Sequence, residues 1–315
     1  MTSDGRQLDP TNLHLGDWPA TPLTPVRLDD AGPTIWCKLE YMHPGGSTKD
    51  RIARYILTKA WRSGALKPGG VVIEASSGST SIAMAMVCAQ LGLRFVAVMP
   101  EGVSNERSLI IKAYGGEVRF APASEGMVGC LALTHRLAEE LDGFLPRQFE
   151  NADNAQAHRF GTAVELIGQL PSQYPDAVVA GVGTGGTLVG LYHGLRDHGC
   201  AAKPFAARPV ATGDKPLAMG CFDHAECSSF SKRIPGVIEG MSRLYQPDQL
   251  DGLETLDVDD TRAIETTRKL IARGFPVGPS SGLNFAAAVM AHERLRAQGV
   301  NAPVVATVFC DRMER

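Results

Sequence analysis

The chain has no Cys-x-x-Cys pair, no block of basic residues and no apolar run long enough to span a membrane. Each lack closes off a class of function. The seven cysteines (37, 88, 130, 200, 221, 227, 310) are an odd number without paired spacing, so neither a disulfide framework nor a zinc module is expected. Cys221 and Cys227 flank His224, but that spacing matches no standard zinc pattern and reads as a loop, so no metal is expected. Cys37, Cys88 and Cys310 lie in apolar runs and read as buried small hydrophobes. With 31 basic against 34 acidic residues and a net charge of -3, nucleic acid is not expected as a partner. The opening Met1-Thr2-Ser3-Asp4-Gly5 lacks the charged-then-apolar order of a signal segment, and the cytoplasm is the expected compartment. What remains is an ordinary globular composition, 44% hydrophobic and 21% charged. A chain of 315 residues buries roughly three quarters of its unfolded surface in one large or two modest domains.

Short β-branched runs alternate with longer amphipathic ones. Strands are predicted at 34–40, 71–75, 94–99, 117–121, 177–181, 205–211, 255–258 and 304–309. Helices are predicted at 50–63, 80–91, 105–114, 127–141, 155–170, 188–198, 261–272 and 282–297. This alternation predicts an α/β fold whose mostly parallel sheets are covered on both faces. Three strand-helix units fall between about 49 and 145, followed by a crossover at 143–154. A smaller domain is therefore expected at 46–146, with 1–45 plus 147–315 forming the larger one. A ligand cleft belongs between them, beyond the carboxyl ends of the strands. The first 30 or so residues, rich in Pro, Asp and Thr, read as an arm on the surface or on a partner subunit.

Three segments carry chemistry. Lys49 follows Pro44-Gly45-Gly46-Ser47-Thr48, where a strand turns into a helix. Such a lysine can be desolvated, lowered in pKa and used as a nucleophile toward an aldehyde; a solvated surface lysine is the alternative. The second segment, Gly181-Val182-Gly183-Thr184-Gly185-Gly186-Thr187, links a strand to a helix. Its converging N–H groups and the helix start suit an anion. Gly181, Gly183 and Gly186 also satisfy a dinucleotide pattern, but the following strand offers no acid for a ribose. The hydroxyls of Thr184 and Thr187 favour a single terminal phosphate. Third, Gly278-Pro279-Ser280-Ser281-Gly282 places hydroxyls at a helix start, where Ser280 would cap the helix or face a ring nitrogen. Lysine, phosphate cup and ring-facing hydroxyl are the parts needed to hold pyridoxal phosphate (PLP). The turn Ser76-Ser77-Gly78-Ser79-Thr80-Ser81 suits the carboxylate of an amino acid, or is simply a rich N-cap.

In this order, together with Met99-Pro100-Glu101-Gly102, Tyr114-Gly115-Gly116 and Gln148-Phe149-Glu150-Asn151-Ala152-Asp153-Asn154, the segments resemble the cysteine synthase and cystathionine β-synthase family. These are PLP enzymes of the tryptophan-synthase β fold (fold type II). The resemblance covers nearly the whole chain and implies two three-layer αβα domains with the cofactor in the cleft. It implies that Lys49 carries the cofactor and acts as the base at the substrate's Cα. Gly183, Thr184, Gly185, Gly186 and Thr187 would hold the phosphate, and Ser280 the pyridine nitrogen. Ser76, Ser77, Gly78, Thr80 and Gln148 would take the substrate, with Ser79 at the cofactor's ring oxygen. The pattern departs at Ser79, where asparagine is usual, and at Ser81, where glycine is usual. Glu239 is an addition in the 233–242 segment, which could face an incoming nucleophile or solvent. The resemblance implies β-replacement on an O-activated L-serine, such as O-acetylserine, with sulfide or another small nucleophile. Alternatives are β-elimination, of the cysteine desulfhydrase or serine dehydratase kind, and a non-catalytic member that binds an amino acid or a partner protein. A homodimer is expected from the resemblance and the N-terminal arm.

Overall fold

A computed structural model describes residues 18–76, 78–103, 105–211, 217–220, 226–229, 234, 237 and 242–314. The chain order is β1 (Leu23–Val26), β2 (Ile35–Leu39), α1 (Lys49–Arg62), β3 (Val71–Ala75), α2 (Ser79–Leu91), β4 (Arg94–Pro100), α3 (Asn105–Ala113), β5 (Glu117–Ala121) and α4 (Gly126–Leu141). It continues with α5 (Asp153–Ala157), a π-helical turn (His158–Thr162), α6 (Ala163–Gln169), β6 (Ala177–Gly181), α7 (Gly186–Asp197) and β7 (Lys203–Val210). Then come β8 (Leu217–Gly220), β9 (Glu226–Ser229), β10 (Glu254–Asp259), α8 (Asp260–Ala272), α9 (Pro279–Ala297) and β11 (Val305–Phe309).

Two sheets dominate. One has three parallel strands in the order β3-β4-β5; the other has six in the order β1-β2-β11-β6-β7-β10, parallel except for β1. Parallel pairing demands helical crossovers, and these cover both faces of each sheet. The larger sheet buries Val179, Phe205 and Phe309 under α8 and α9 on one face, and Val178, Ala180 and Val308 under α6 and α7 on the other. The smaller sheet buries Val72, Phe95 and Met99 against α1, α2 and α3, and Ile73, Val96 and Val98 against α4. The most enclosed strands are largely apolar because neither face meets water: every residue of β3 and β11 is buried, whereas β5 and β10 keep exposed positions.

The structure corrects the sequence expectation at the amino end. The segment from Thr21 is not a surface arm. Leu23–Val26 pairs antiparallel with β2, and Thr21 is buried with its hydroxyl on Glu40. The missed strand is short and carries Pro25, which an edge position tolerates. Residues 226–229, expected to lie in a loop, form β9 paired antiparallel with β8. Cys221, His224 and Glu239 lie outside the described residues.

Beneath the junction of α1 and the large sheet lies a buried ion cluster. Arg51 Nε sits 2.5 Å from Glu40 Oε2 and its Nη2 lies 2.6 Å from Glu165 Oε2. Lys38 Nζ, almost wholly buried, lies 2.6 Å from Glu165 and also bonds the carbonyl of Thr21. Burial alone would raise the Glu40 carboxyl, but the Arg51 guanidinium holds it well below the usual range.

Candidate active site

Lys49 is the first residue of α1, placed by a turn that is stitched to the far end of the chain. Thr48 N–H donates to the carbonyl of Cys310 (2.7 Å) and Arg312 N–H to that of Gly46 (3.2 Å). Gly278 N–H in turn donates to Asp311 (3.0 Å). Segments 46–49, 278–281 and 310–312 thus form one wall. Burial lowers the Lys49 amine below its ordinary value, opposed by nearby Cys310 and Asp311. A lysine so lowered is a better nucleophile at neutral pH.

Lys49, Ser76, Ser79, Thr80, Gln148, Gly183, Thr184, Gly185, Thr187 and Ser280 line a single open cavity. Gly78 and Gly186 adjoin these residues in sequence but are not among those lining the cavity. Ser77 is outside the described residues.

The glycine loop follows β6 and enters α7. Gly185, at φ 80, has a left-handed backbone that only glycine adopts without strain, and it packs against Tyr245. The first N–H groups of α7 have no partner within the helix, and Gly185 and Thr187 at that end line the cavity, an arrangement suited to an anion. Ser242 braces the loop from outside through the carbonyl of Thr184 (2.5 Å).

The serine-rich turn between β3 and α2 closes the opposite wall. The amide of Gly78 donates to Ser76 Oγ (3.0 Å), leaving the Ser76 hydroxyl hydrogen available to a ligand. The Thr80 hydroxyl donates to Gln148 Oε1 (2.7 Å), and Gln148 Nε2 donates to the carbonyl of Ala75 (2.8 Å). Gln148 keeps a second amide hydrogen. Behind them Glu74 is buried, and burial pushes its carboxyl up to about 8 against the opposing N–H bonds from Gln148 and Ala75.

One expectation needs correcting. Helix α9 starts at Pro279 with Gly278 as N-cap, so Ser280 does not cap it. Its hydroxyl donates to Asp311 Oδ1 (3.0 Å). Asp311, Arg107 and Cys310 are cavity residues that sequence reasoning did not single out. Cys310 is only half-buried, not a core thiol, and burial by its surroundings still pushes it up to about 12. The run Phe309-Cys310-Asp311 ending a buried strand was the available signal for Asp311. Among the described residues no group of His, Cys, Asp and Glu is placed to hold a metal, and no helix is long and apolar enough to cross a membrane.

Comparison with known proteins agrees with this geometry. A cysteine synthase from Staphylococcus aureus (strain Mu50 / ATCC 700699) is 37% identical over 282 residues, covering 87% of this chain and 86% of that protein. The crystal structure of an O-acetylserine dependent cystathionine β-synthase from Helicobacter pylori superposes with a TM-score of 0.78 at 31% identity, covering 93% of this chain and 92% of that one. A hydrogen sulfide-producing enzyme from Fusobacterium nucleatum superposes at 0.77 with 33% identity, covering 89% and 81%. The family described as "Pyridoxal-phosphate dependent enzyme" matches residues 15–311, so with the cysteine synthase likeness across most of its length, the chain belongs to the pyridoxal-phosphate dependent enzymes of the cysteine synthase type.

Proposed function

We propose that the protein replaces the β-substituent of an O-activated L-serine, of the O-acetylserine kind, with sulfide or another small nucleophile. The observation that carries this reading is the convergence of a desolvated lysine, a glycine-threonine anion cup and a hydroxyl-rich helix start on one cavity. Pyridoxal phosphate fits the chemistry of these residues: the left-handed Gly185 turn leads into the first N–H groups of α7, donors suited to a phosphate, with Thr184 and Thr187 lining the same cavity. When bound it supplies the electron sink that loosens the Cα–H and Cβ–O bonds of an amino acid.

The chain's own residues would do the rest. Lys49 would hold the cofactor through its Nζ; once the amino acid's own amine has taken that place, the released amine, its pKa lowered by burial, would take the α-proton and return it. The Ser76 hydroxyl, Ser77, Gly78, the free Gln148 amide hydrogen and, after rotation, the Thr80 hydroxyl bind the substrate carboxylate. Ser79 takes the place at the ring oxygen and Ser280 the place at the ring nitrogen. The Ser280 hydroxyl, which donates to Asp311 here, would be the neutral partner of that nitrogen. Residues 46–146 act as the smaller unit that closes on the amino acid and excludes water, against 1–45 plus 147–315. A homodimer in the cytoplasm is the assembly and compartment that fit the family resemblance.

The test is a product assay. Protein given O-acetylserine and sulfide should release cysteine, and Lys49→Ala should not. Pyruvate formed from cysteine without an added nucleophile would assign β-elimination instead. Neither product from either mixture would overturn the reading.

A further inference from the structure

Behind the anion cup stands a second pair of polar side chains. Asn154 and His158 are four residues apart, on one face of the helix formed by α5 and the π-turn. Both are fully buried, at 1% and 0% exposure. Asn154 Nδ2 donates to Thr184 Oγ1 (2.9 Å) and to the carbonyl of Gln148 (2.8 Å). A carbonyl only accepts, so this second bond fixes which end of the amide faces Thr184. His158 Nε2 lies 3.3 Å from Thr187 Oγ1, and its Nδ1 lies 2.8 Å from Thr162 Oγ1. Burial drives the imidazole down to about 3, so it is neutral at pH 7 and carries one N–H.

Glycines bring this face so close. A Cβ on Gly186 would sit 1.9 Å from Asn154 Oδ1, and one on Gly190 would sit 2.5 Å from His158 Cβ. With Gly194 they form a smooth stripe along α7, against which the helix carrying Asn154 and His158 packs.

A bound phosphate accepts hydrogen bonds and donates none once fully ionised. A threonine at its rim must therefore give its hydroxyl hydrogen to the phosphate, and its oxygen must be satisfied from behind. That selects the tautomer with the imidazole hydrogen on Nε2 and Thr162 donating to Nδ1. We propose that Asn154 and His158 are positioning residues for the cofactor phosphate. Each donates to one threonine oxygen of the cup, Asn154 to Thr184 and His158 to Thr187, so that both hydroxyl hydrogens point at the anion. The inference rests on the reading above that the cup holds the phosphate of pyridoxal phosphate.

The experiment compares binding of pyridoxal phosphate and of pyridoxal, which lacks the phosphate, by absorbance titration of full-length enzyme stripped of cofactor, with ³¹P NMR of the reloaded enzyme. His158→Leu should raise the Kd for pyridoxal phosphate at least tenfold, shift the ³¹P resonance and leave pyridoxal within about twofold. His158→Gln, which retains a donor, should recover most of the loss. In a Thr187→Val background His158→Leu should cost nothing further. Asn154→Asp, nearly the same in volume but unable to donate, should weaken phosphate-dependent binding likewise. That loss should be markedly smaller in a Thr184→Val background, and this pair decides the matter if His158→Leu does not fold. Equal losses for both ligands, or fully additive losses in both threonine backgrounds, would overturn the proposal in favour of a merely structural role. A parent enzyme that binds the two ligands equally would overturn the phosphate reading and this proposal together. A parent that prefers the phosphate ester beside variants that bind it normally would overturn this proposal alone.

Discussion

Replacing Arg51 with methionine should cost about 3–5 kcal/mol of unfolding free energy, although the residue touches no ligand. Arg51 is 9% exposed and bridges two carboxylates, Glu40 (0%) and Glu165 (19%), at 2.5–2.7 Å between heavy atoms. With Lys38 the cluster balances two positive against two negative charges. Two charges about 4 Å apart attract by about 4 kcal/mol at an effective dielectric of about 20, so each Arg51 bridge is of that order before desolvation is subtracted. Desolvation of a buried ion is itself several kcal/mol, so the intact cluster contributes little net stability. Removing one member is another matter, because Glu40 then stays fully buried with only Thr21, Thr48 and His43 at its oxygens, while Lys38 remains paired with Glu165. Methionine preserves most of the side chain's volume, which isolates the charge effect from a cavity. The double variant Glu40→Gln/Arg51→Met restores the balance and should be more stable than Arg51→Met alone by about 1–3 kcal/mol. Urea unfolding midpoints of the cofactor-loaded proteins read both numbers. The carboxyls of Glu40 and Glu165 are lowered in the fold, so their stabilisation is present above their ordinary 4.5 and lost as pH falls through the folded values. Arg51→Met should flatten that acid limb. A single variant costing less than about 1 kcal/mol, or a double variant whose loss is the sum of the two singles, would refute the reasoning.

Two further outcomes follow from packing and titration. Gly190→Ala should destabilise by about 1–3 kcal/mol despite alanine's better helix propensity, since the new Cβ would meet the Ala155 carbonyl at 2.4 Å. Gly168→Ala, on α6 with nothing within 4 Å of its Cβ position, should instead stabilise by about 0.5–1 kcal/mol, and equal denaturation midpoints for the two would contradict this account. Glu74, pushed up to about 8 by burial, holds a proton in the fold that the unfolded chain has released above 4.5. Stability should therefore fall as pH rises from 4.5 toward 8, by up to about 1.4 kcal/mol per unit, and Glu74→Gln should remove that slope. Parallel stability-pH curves for the two proteins would rule it out.

The parallel core was legible in the sequence because a strand buried on both faces must be an unbroken apolar run. Thus Val71–Ala75 and Ala177–Gly181 occur where the apolar runs placed them, and Glu117–Ala121, partly exposed, where strand-helix alternation placed it. Edge elements were not: β1 has one polar and one proline position in four, and β8 with β9 has no apolar alternation long enough to read. The helix expected at 155–170 begins at Asp153 and passes through a π-turn, a one-residue adjustment that leaves no mark on hydrophobic spacing. At the site, segments announced by composition converge on the cavity: Lys49, the serine-rich turn and the glycine loop. Residues acting through others were hidden. Ser280 meets Asp311 across 31 positions, and Asn154 and His158 reach the cup only because α7 packs against them. The spacing of Gly186, Gly190 and Gly194, every fourth residue on a helix, was the trace that could have pointed there.

The centre of the six-stranded sheet is occupied by the strand that comes last in sequence, since β11 lies between β2 and β6. During synthesis β2 and β6 leave the ribosome with no neighbour between them, and the wall behind the reactive amine lacks its closing residues. Strands β1-β2 and β6-β7-β10 can pair among themselves, but joining the two groups waits for a long-range closure, the slow kind of step. A deletion that reached into Val305–Phe309 would therefore take out the keystone of the sheet.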